Sequence, residues 1–497
     1  MASAQSRTRA ATARLYQVVI AFLLIFTIAK MVSIVGASPI IGYPNNYDFL
    51  RVESCMGLWP DTGEHKMDPH WAGPVNNLVL DRDYHPDLCL VSIDDLFPYL
   101  ATKLYTHGEH VDYRLIGSLR ILAALAAVAM LMLVAETWLQ RLVVAALFTT
   151  AFGDFAYLGF FNTLYNEPTV MLGAFICAVS FWLMWTRRAR PDGLSLWMSL
   201  AGVVVLGLSK QQYVPLASAF ALAFCALFAW RWRSRAAVTF AVLAAACPIA
   251  FAAMNPSDEG LLSHGIRLAN TMDTFLGEVL PFAHDPHRAV ATLHLPDECV
   301  RGIGGNFYTP GFTQDYPCPG IFNESRVHLL PLFATQPETF FGPMKDGIAH
   351  ARPFLPDRYY PFEDPSSANS IAYRLSSATS FSTLVNALPG PLFWLLVTGT
   401  IIAAIPAAAW MVWQLIHKRF DGSGAGALFA IGAGMVLYAI ASSVFGDGSR
   451  ETAKHGLIWL WGFSLAAISA VLLLAEIFRK RTASVTVTVE EYSDISQ

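Results

Sequence analysis

Runs of about 20 apolar residues, the length a helix needs to cross about 30 Å of hydrocarbon, recur ten times along this chain. They fall near 15–35, 115–135, 142–161, 168–186, 194–209, 213–230, 236–253, 391–416, 425–445 and 456–478. That pattern excludes an ordinary soluble domain, and composition agrees: 55% of the residues are hydrophobic and only 14% charged, where soluble domains run near a quarter charged. The expected fold is an all-α polytopic membrane protein, with 1–497 forming one membrane domain of about ten transmembrane helices. The first run is too long, and lacks the cleavage site, for a removed signal peptide. No internal repeat marks paired inverted halves.

The net charge of −4 matters less than how charge divides between the two sides, because short cytoplasmic loops retain Lys and Arg. Arg7, Arg9 and Arg14 precede the first span, and Arg141 follows the second. Arg187, Arg188 and Arg190 follow the fourth, Arg231, Arg233 and Arg235 the sixth, Lys418 and Arg419 the eighth, and Arg479, Lys480 and Arg481 the tenth. With ten spans all six clusters share a side, so both termini are expected in the cytoplasm of a plasma (inner) membrane protein. Two large segments, 37–112 and 254–390, then lie outside. The first carries twelve acidic residues against four basic ones. The tail, 479–497, is polar and acidic towards its end and is expected to be a disordered cytoplasmic segment. The lipid bilayer is the first partner this implies; no nucleic-acid partner is expected.

Of seven cysteines, Cys177, Cys225 and Cys247 lie within spans and read as small apolar fillers. Cys55, Cys89, Cys299 and Cys318 all lie in the outer segments, as disulfides in an oxidising compartment would. Of the three possible pairings, Cys55 with Cys89 and Cys299 with Cys318 is favoured because each closes a loop within one segment. A metal site on these thiols lacks the usual CxxC spacing.

The polar residues at the outer ends of the spans are the candidates for chemistry. Just beyond the first span, Asn45-Asn46-Tyr47-Asp48-Phe49-Leu50-Arg51 sets a carboxylate and a guanidinium at the membrane surface; the plainer reading is a turn. Ser92-Ile93-Asp94-Asp95 fits a capping box opening an amphipathic surface helix over 96–105. In the third span, Asp154 would cost ~2.5 to 3.5 kcal/mol at the membrane centre, so it is expected to face a cavity or a partner. Asn162, Tyr165 and Glu167 follow in the turn to the fourth span. After the fifth span, Lys210 breaks the positive-inside pattern, flanked by Gln211 and Tyr213; it suits a phosphate at headgroup level, or snorkels to ordinary lipid. The last outer turn holds Asp447, Arg450, Glu451, Lys454 and His455, again with cations on the unexpected side. The segment 254–390 contains an amphipathic helix over about 262–279 and reads as a lid rich in Pro, Phe and Tyr, or as a compact cap.

No cofactor is demanded by these residues. The Asp81-Arg82-Asp83 triplet, near His65, His70 and His85, resembles the DxD of nucleotide-sugar enzymes and offers ligands to a divalent metal. A solvated acidic loop explains it more simply, and no residue is assigned to a metal.

Taken together, Asn45 to Arg51, Gly153-Asp154 through Asn166-Glu167-Pro168, Ser209-Lys210-Gln211, Val279-Leu280-Pro281 and Asp447 through Lys454-His455 resemble the GT-C glycosyltransferases, which use polyprenyl-phosphate-linked sugars. Within them the resemblance is to the bacterial glycan-biosynthesis hexose transferase group. It implies a sugar donor on a polyprenyl phosphate and a glycan or lipid-linked acceptor. It also implies Asp48 as the catalytic carboxylate, and Lys210, Arg450, Lys454 and His455 on the donor phosphate. The paired acidic motif of several relatives is missing, since Asp48 is flanked by Tyr47 and Phe49; Glu167 and Asp154 are the candidates for a second carboxylate. Asn45, Asn46, Arg51, Asp154, Asn162, Tyr165, Gln211, Tyr213, Asp447 and Glu451 are the candidate substrate contacts. An inverting displacement with a carboxylate base fits this layout. A transporter or flippase for a lipid-linked glycan is the alternative; it requires charges along a path through the midplane, whereas these gather at one face.

Overall fold

The computed structural model describes residues 2–38, 40–43, 49–60, 77–83, 89–187, 189–255, 261–352, 360–361, 371–420, 424–448 and 456–494. Asn45, Asn46, Asp48, Arg450, Glu451, Lys454, His455, His65, His70 and His85 lie outside these residues, as do Arg188 and the 61–76 stretch.

The chain is a helical membrane bundle. Eight helices are long and apolar enough to cross a bilayer. They are α1 (Ala2–Val35), α4 (Tyr113–Val134), α7 (Glu167–Thr186), α9 (Val214–Trp232, extended by a 3₁₀ turn from Gln211), α10 (Ala236–Met254), α17 (Gly390–Ile416), α18 (Ala425–Asp447) and α19 (Leu457–Asp494). Two shorter apolar helices, α5 (Trp138–Phe152) and α8 (Gly193–Gly207), complete the set of ten anticipated from hydropathy. Within α19 the apolar part ends at Phe478, and the helix continues to Asp494 over the stretch expected to be disordered.

α7 is the centre of the bundle. Its most apolar window is 94% buried, against 11% for α10 and 22% for α17, so α10 and α17 turn most of their surface to lipid. A helix that is apolar all round belongs in the middle of such an assembly. It packs closely on α8 because both helices carry glycine at the contact. A Cβ on Gly173 would meet the Leu206 nitrogen at 2.5 Å, and one on Gly202 the Cys177 nitrogen at 2.8 Å. Small residues of this kind let membrane helices approach backbone to backbone.

One boundary differs from expectation. The third span was expected to run to 161, but α5 stops at Phe152 and the chain breaks at Gly153. Asp154 then caps the single turn α6 (Phe155–Leu158) through its own side chain, which accepts from the Ala156 N–H at 2.9 Å. The residues beyond stay buried and apolar, which is why hydropathy alone does not register the break.

The long segments are built of short elements on one face of the bundle, here called the loop face. In the first are β1 (Ile41–Gly42), α2 (Leu50–Met56), a three-stranded antiparallel sheet of β2 (Leu58–Pro60), β3 (Asn77–Leu80) and β4 (His110–Asp112), and α3 (Leu96–Thr102). The second holds α11 (Leu261–Met272), continued by a π-helical stretch Asp273–Val279, then α12 (Pro286–Thr292), α13 (Leu329–Thr335), α14 (Glu338–His350), β5 (Tyr360–Pro361), α15 (Ile371–Ala378) and α16 (Phe381–Asn386). β1 pairs antiparallel with β5, Ile41 opposite Pro361, which joins the two segments across 300-odd residues of sequence. Two disulfides brace them, Cys55–Cys89 and Cys299–Cys318, the pairing anticipated from loop closure. Cys177, Cys225 and Cys247 are free.

Candidate functional site

The loop-face end of α7 is where the polar residues gather. Tyr165, 5% exposed, stands two residues before the helix and is the hub of an aromatic cluster. Phe49 packs edge-on against it with ring centroids 4.7 Å apart, Tyr43 lies edge-on at 6.3 Å, and Phe160 contacts both, stacking on Tyr43 at 4.2 Å. Edge-to-face and offset aromatic pairs at these separations are mutually favourable. The Tyr43 N–H also reaches the Gly159 carbonyl at 3.4 Å. Tyr43 and Phe49 are therefore both held by the turn leading into Glu167.

Glu167 begins α7 and is 2% exposed. Its Oε1 accepts from Lys210 Nζ at 2.8 Å. Pro168 follows, in the first helical turn where the missing N–H costs nothing, and the carboxylate lies at the positive end of the helix dipole. Lys210 comes from the short turn between α8 and α9; the Gly173 and Gly202 contacts hold α8 against α7, so the two turns meet. Beside Lys210, Gln211 is exposed and Tyr213 is 1% exposed, while Gln212 bonds Ser442 of α18 at 3.2 Å.

A second charged pair lies beneath this one. Asp94, fully buried, accepts from the guanidinium of Arg120, which is 2% exposed in α4. Arg120 also donates to the carbonyls of Phe160 (3.1 Å), Phe161 (2.7 Å), Thr163 (2.7 Å) and Tyr165 (3.1 Å). Asp94 belongs to the capping box read from sequence: the Ser92 hydroxyl accepts from the Asp94 N–H, and Asp95 accepts from the Ser92 N–H at 2.9 Å. Burial raises the Asp94 carboxyl above its usual range, and Arg120 opposes that shift. Burial likewise raises Asp95 to about 7, against the pull of the Ser92 N–H.

The stretch 89–93 that leads into this element touches three other parts of the chain. Leu90 N–H reaches the Arg51 carbonyl of α2 at 3.4 Å, and Ile93 N–H the Leu208 carbonyl two residues before Lys210 at 2.9 Å. The Asn255 amide at the end of α10 donates to the Val91 carbonyl at 2.9 Å. Cys89 ties it to Cys55 at the end of α2, the helix that follows Asp48.

Other candidates are engaged elsewhere. Asp154 accepts from the Ser382 N–H (2.7 Å) and hydroxyl (2.6 Å), while Lys30 of α1 donates to the Ser376 carbonyl at 3.0 Å and the Ser380 hydroxyl at 3.2 Å. These contacts fasten α15 and α16 to the bundle. Asn162 is wholly buried, donating to the Val35 and Ile41 carbonyls at 3.1 and 3.4 Å. Arg51 lies half-buried on α2. At the other edge, Asp447 ends α18. Arg326 of the second segment donates to the Phe445 carbonyl at 2.9 Å and the Gly446 carbonyl at 2.6 Å, which fixes the approach to the last turn. Asp81 and Asp83 group with His107, their ligand atoms within 4.8 Å, on the exposed rim of the first segment. That is where a divalent cation finds ligands among the described residues, but exposed acidic groups of this kind are common without one.

Lys30 and Arg120 were missed from sequence. The signal was available: both are cations inside runs 15–35 and 115–135, and a charge inside an apolar span calls for a partner.

No curated protein and no solved structure matches the chain. Residues 5–492 match the family described as YfdI N-terminal transmembrane domain, and a match over nearly the whole length, together with the multi-pass helical fold, means that the chain belongs to that family.

Proposed function

We propose that this protein is a membrane glycosyltransferase that moves a sugar from a polyprenyl-phosphate-linked donor to an extracytoplasmic glycan or lipid-linked acceptor, at the loop face. Membership of a GT-C-like family agrees with this reading. The observation that carries it is the convergence at Tyr165: the flanks of the Asp48 stretch and the Glu167–Lys210 pair all meet within a few residues of chain. The opposite face carries Arg187, Arg190, Arg231, Arg233, Arg235, Lys418 and Arg419, and is the cytoplasmic one by the positive-inside rule.

In the proposed step, an acceptor hydroxyl oxygen attacks the anomeric carbon while the bond from that carbon to the phosphate oxygen breaks. The electron pair of that bond leaves with the polyprenyl phosphate, and the hydroxyl proton passes to Asp48 as base. Lys210 stabilises the charge gathering on the phosphate, joined by Arg450, Lys454 and His455 of the last turn. Glu167 is the second carboxylate: it orients Lys210 and keeps its charge next to the departing phosphate. Arg51, Gln211, Tyr213, Asp447 and Glu451 contact sugar and acceptor.

The test is transfer by the purified protein supplied with a lipid-linked sugar. Wild type should release free polyprenyl phosphate and Asp48→Asn should lose at least about 10²-fold in rate, the scale of general-base catalysis; transfer by Asp48→Asn at the wild-type rate rules out Asp48 as base.

A further inference from the structure

We propose that Arg120 is a positioning residue for this transfer: it clamps the turn that leads into Glu167 to the Ser92–Asp95 capping element, and so fixes Glu167, Lys210 and the helix after Asp48 relative to one another. The proposal rests on the transferase reading for its catalytic consequence, though the clamp itself does not.

A single guanidinium in α4 collects the carbonyls of Phe160, Phe161, Thr163 and Tyr165 and the carboxylate of Asp94. Those four carbonyls belong to the turn just before α7; the Phe160 carbonyl also accepts from the Thr163 hydroxyl at 2.6 Å, and burying such carbonyls without donors is costly. On the other side, Asp94 is one residue from the Ile93 N–H that holds Leu208, and four and five residues from the links of Leu90 to Arg51 and of Cys89 to Cys55. Both ends of the clamp therefore bear on candidate reacting groups, Glu167 through Tyr165 and Lys210 through Leu208. The planar fork of arginine is needed for this; lysine offers one ammonium, which cannot span the carbonyls and the carboxylate together.

A static brace would change how much protein folds. A positioning residue changes kcat in the molecules that do fold, because misplacement by about 1 Å costs on the order of 10²-fold in rate. The donor phosphate, held by cations from two separate turns, should lose little affinity. The experiment compares Arg120→Lys and Asp94→Asn with wild type in nanodiscs, on monodisperse protein. Asp94→Asn leaves the arginine and its carbonyl bonds in place, so it reports even where Arg120→Lys folds poorly. We expect kcat for transfer from a lipid-linked sugar to fall at least about tenfold, with KM for the donor within about threefold. Amide exchange should rise together in residues 89–95 and 159–167. Folded variants with wild-type kcat overturn the proposal, as does lost kcat with exchange unchanged in those segments. Should wild type transfer no sugar, the transferase reading fails, and the exchange data alone still decide the clamp.

Discussion

The Glu167–Lys210 pair gives a prediction in which structural and catalytic roles come apart. The side chains are 2% and 13% exposed, and the contact is 2.8 Å. Removing one partner from a buried pair costs about 3–5 kcal/mol, chiefly because the other charge stays buried; Lys210→Ala leaves the Glu167 carboxylate, 2% exposed, without this ammonium and should cost within that range. Its effect on rate should be larger than its effect on folding, since losing one preorganised charge stabiliser costs about 10²–10³ in kcat. Replacing both charges by neutral groups of similar shape, Glu167→Gln with Lys210→Met, should recover most of the lost stability, because no uncompensated charge remains. It should not recover transfer. Equilibrium unfolding in mixed micelles and initial rates with a lipid-linked donor measure the two quantities on the same preparations. If the double variant regains stability and activity together, Lys210 is only a structural partner of Glu167 and the phosphate-binding role is wrong.

Three further outcomes follow. Asp95 holds its proton up to about 7 in the folded chain but only to near 4 when unfolded, so the folded state binds more protons in that window. Stability should then fall by on the order of 2–4 kcal/mol as pH rises from about 4 to 7, and Asp95→Asn should flatten that slope in chemical unfolding curves. Cys55→Ser removes a cross-link spanning 34 residues, worth up to about 3–4 kcal/mol by chain entropy; unchanged unfolding and transfer in this variant, or in wild type under reductant, would show that α2 stays seated without it. Gly117→Ala places a methyl 2.3 Å from Asn162 Oδ1 and 2.8 Å from Val35 Cγ1, and overpacking of this kind costs about 1–3 kcal/mol, which thermal unfolding in detergent would register.

Much of this fold is legible in the sequence because the membrane imposes one strong rule: every spanning backbone must satisfy itself as helix. That rule locates the helices, and loop closure within each segment picks out the two disulfides of the loop face. The Ser92–Asp95 box and the turn at Lys210 were readable because their signals are local. What escaped depended on partners far away in sequence. Asp154 was expected to face a cavity or a partner, but the sequence did not say which, and its partner Ser382 lies 228 positions later. Arg120 was hidden in an apolar run, and its partners at 94 and 160–165 come from two separate turns. The end of α5 escaped for a different reason: Phe155, Ala156, Leu158 and Phe160 are as buried as the helix before them, so only the Gly153-Asp154 pair marks the stop. For the site, residue types at span ends pointed to Glu167 and Lys210, but their contact needed the close packing of α7 on α8.

The most direct measurement is a structure of the protein in a nanodisc with a polyprenyl-phosphate-linked sugar bound. The expected result is a donor phosphate within about 4 Å of Lys210 Nζ, the reach of an ion pair, with the Asp48 carboxylate facing the anomeric carbon on the loop face. A donor seated on the opposite face, or a phosphate distant from Lys210 with Asp48 turned away, would contradict it.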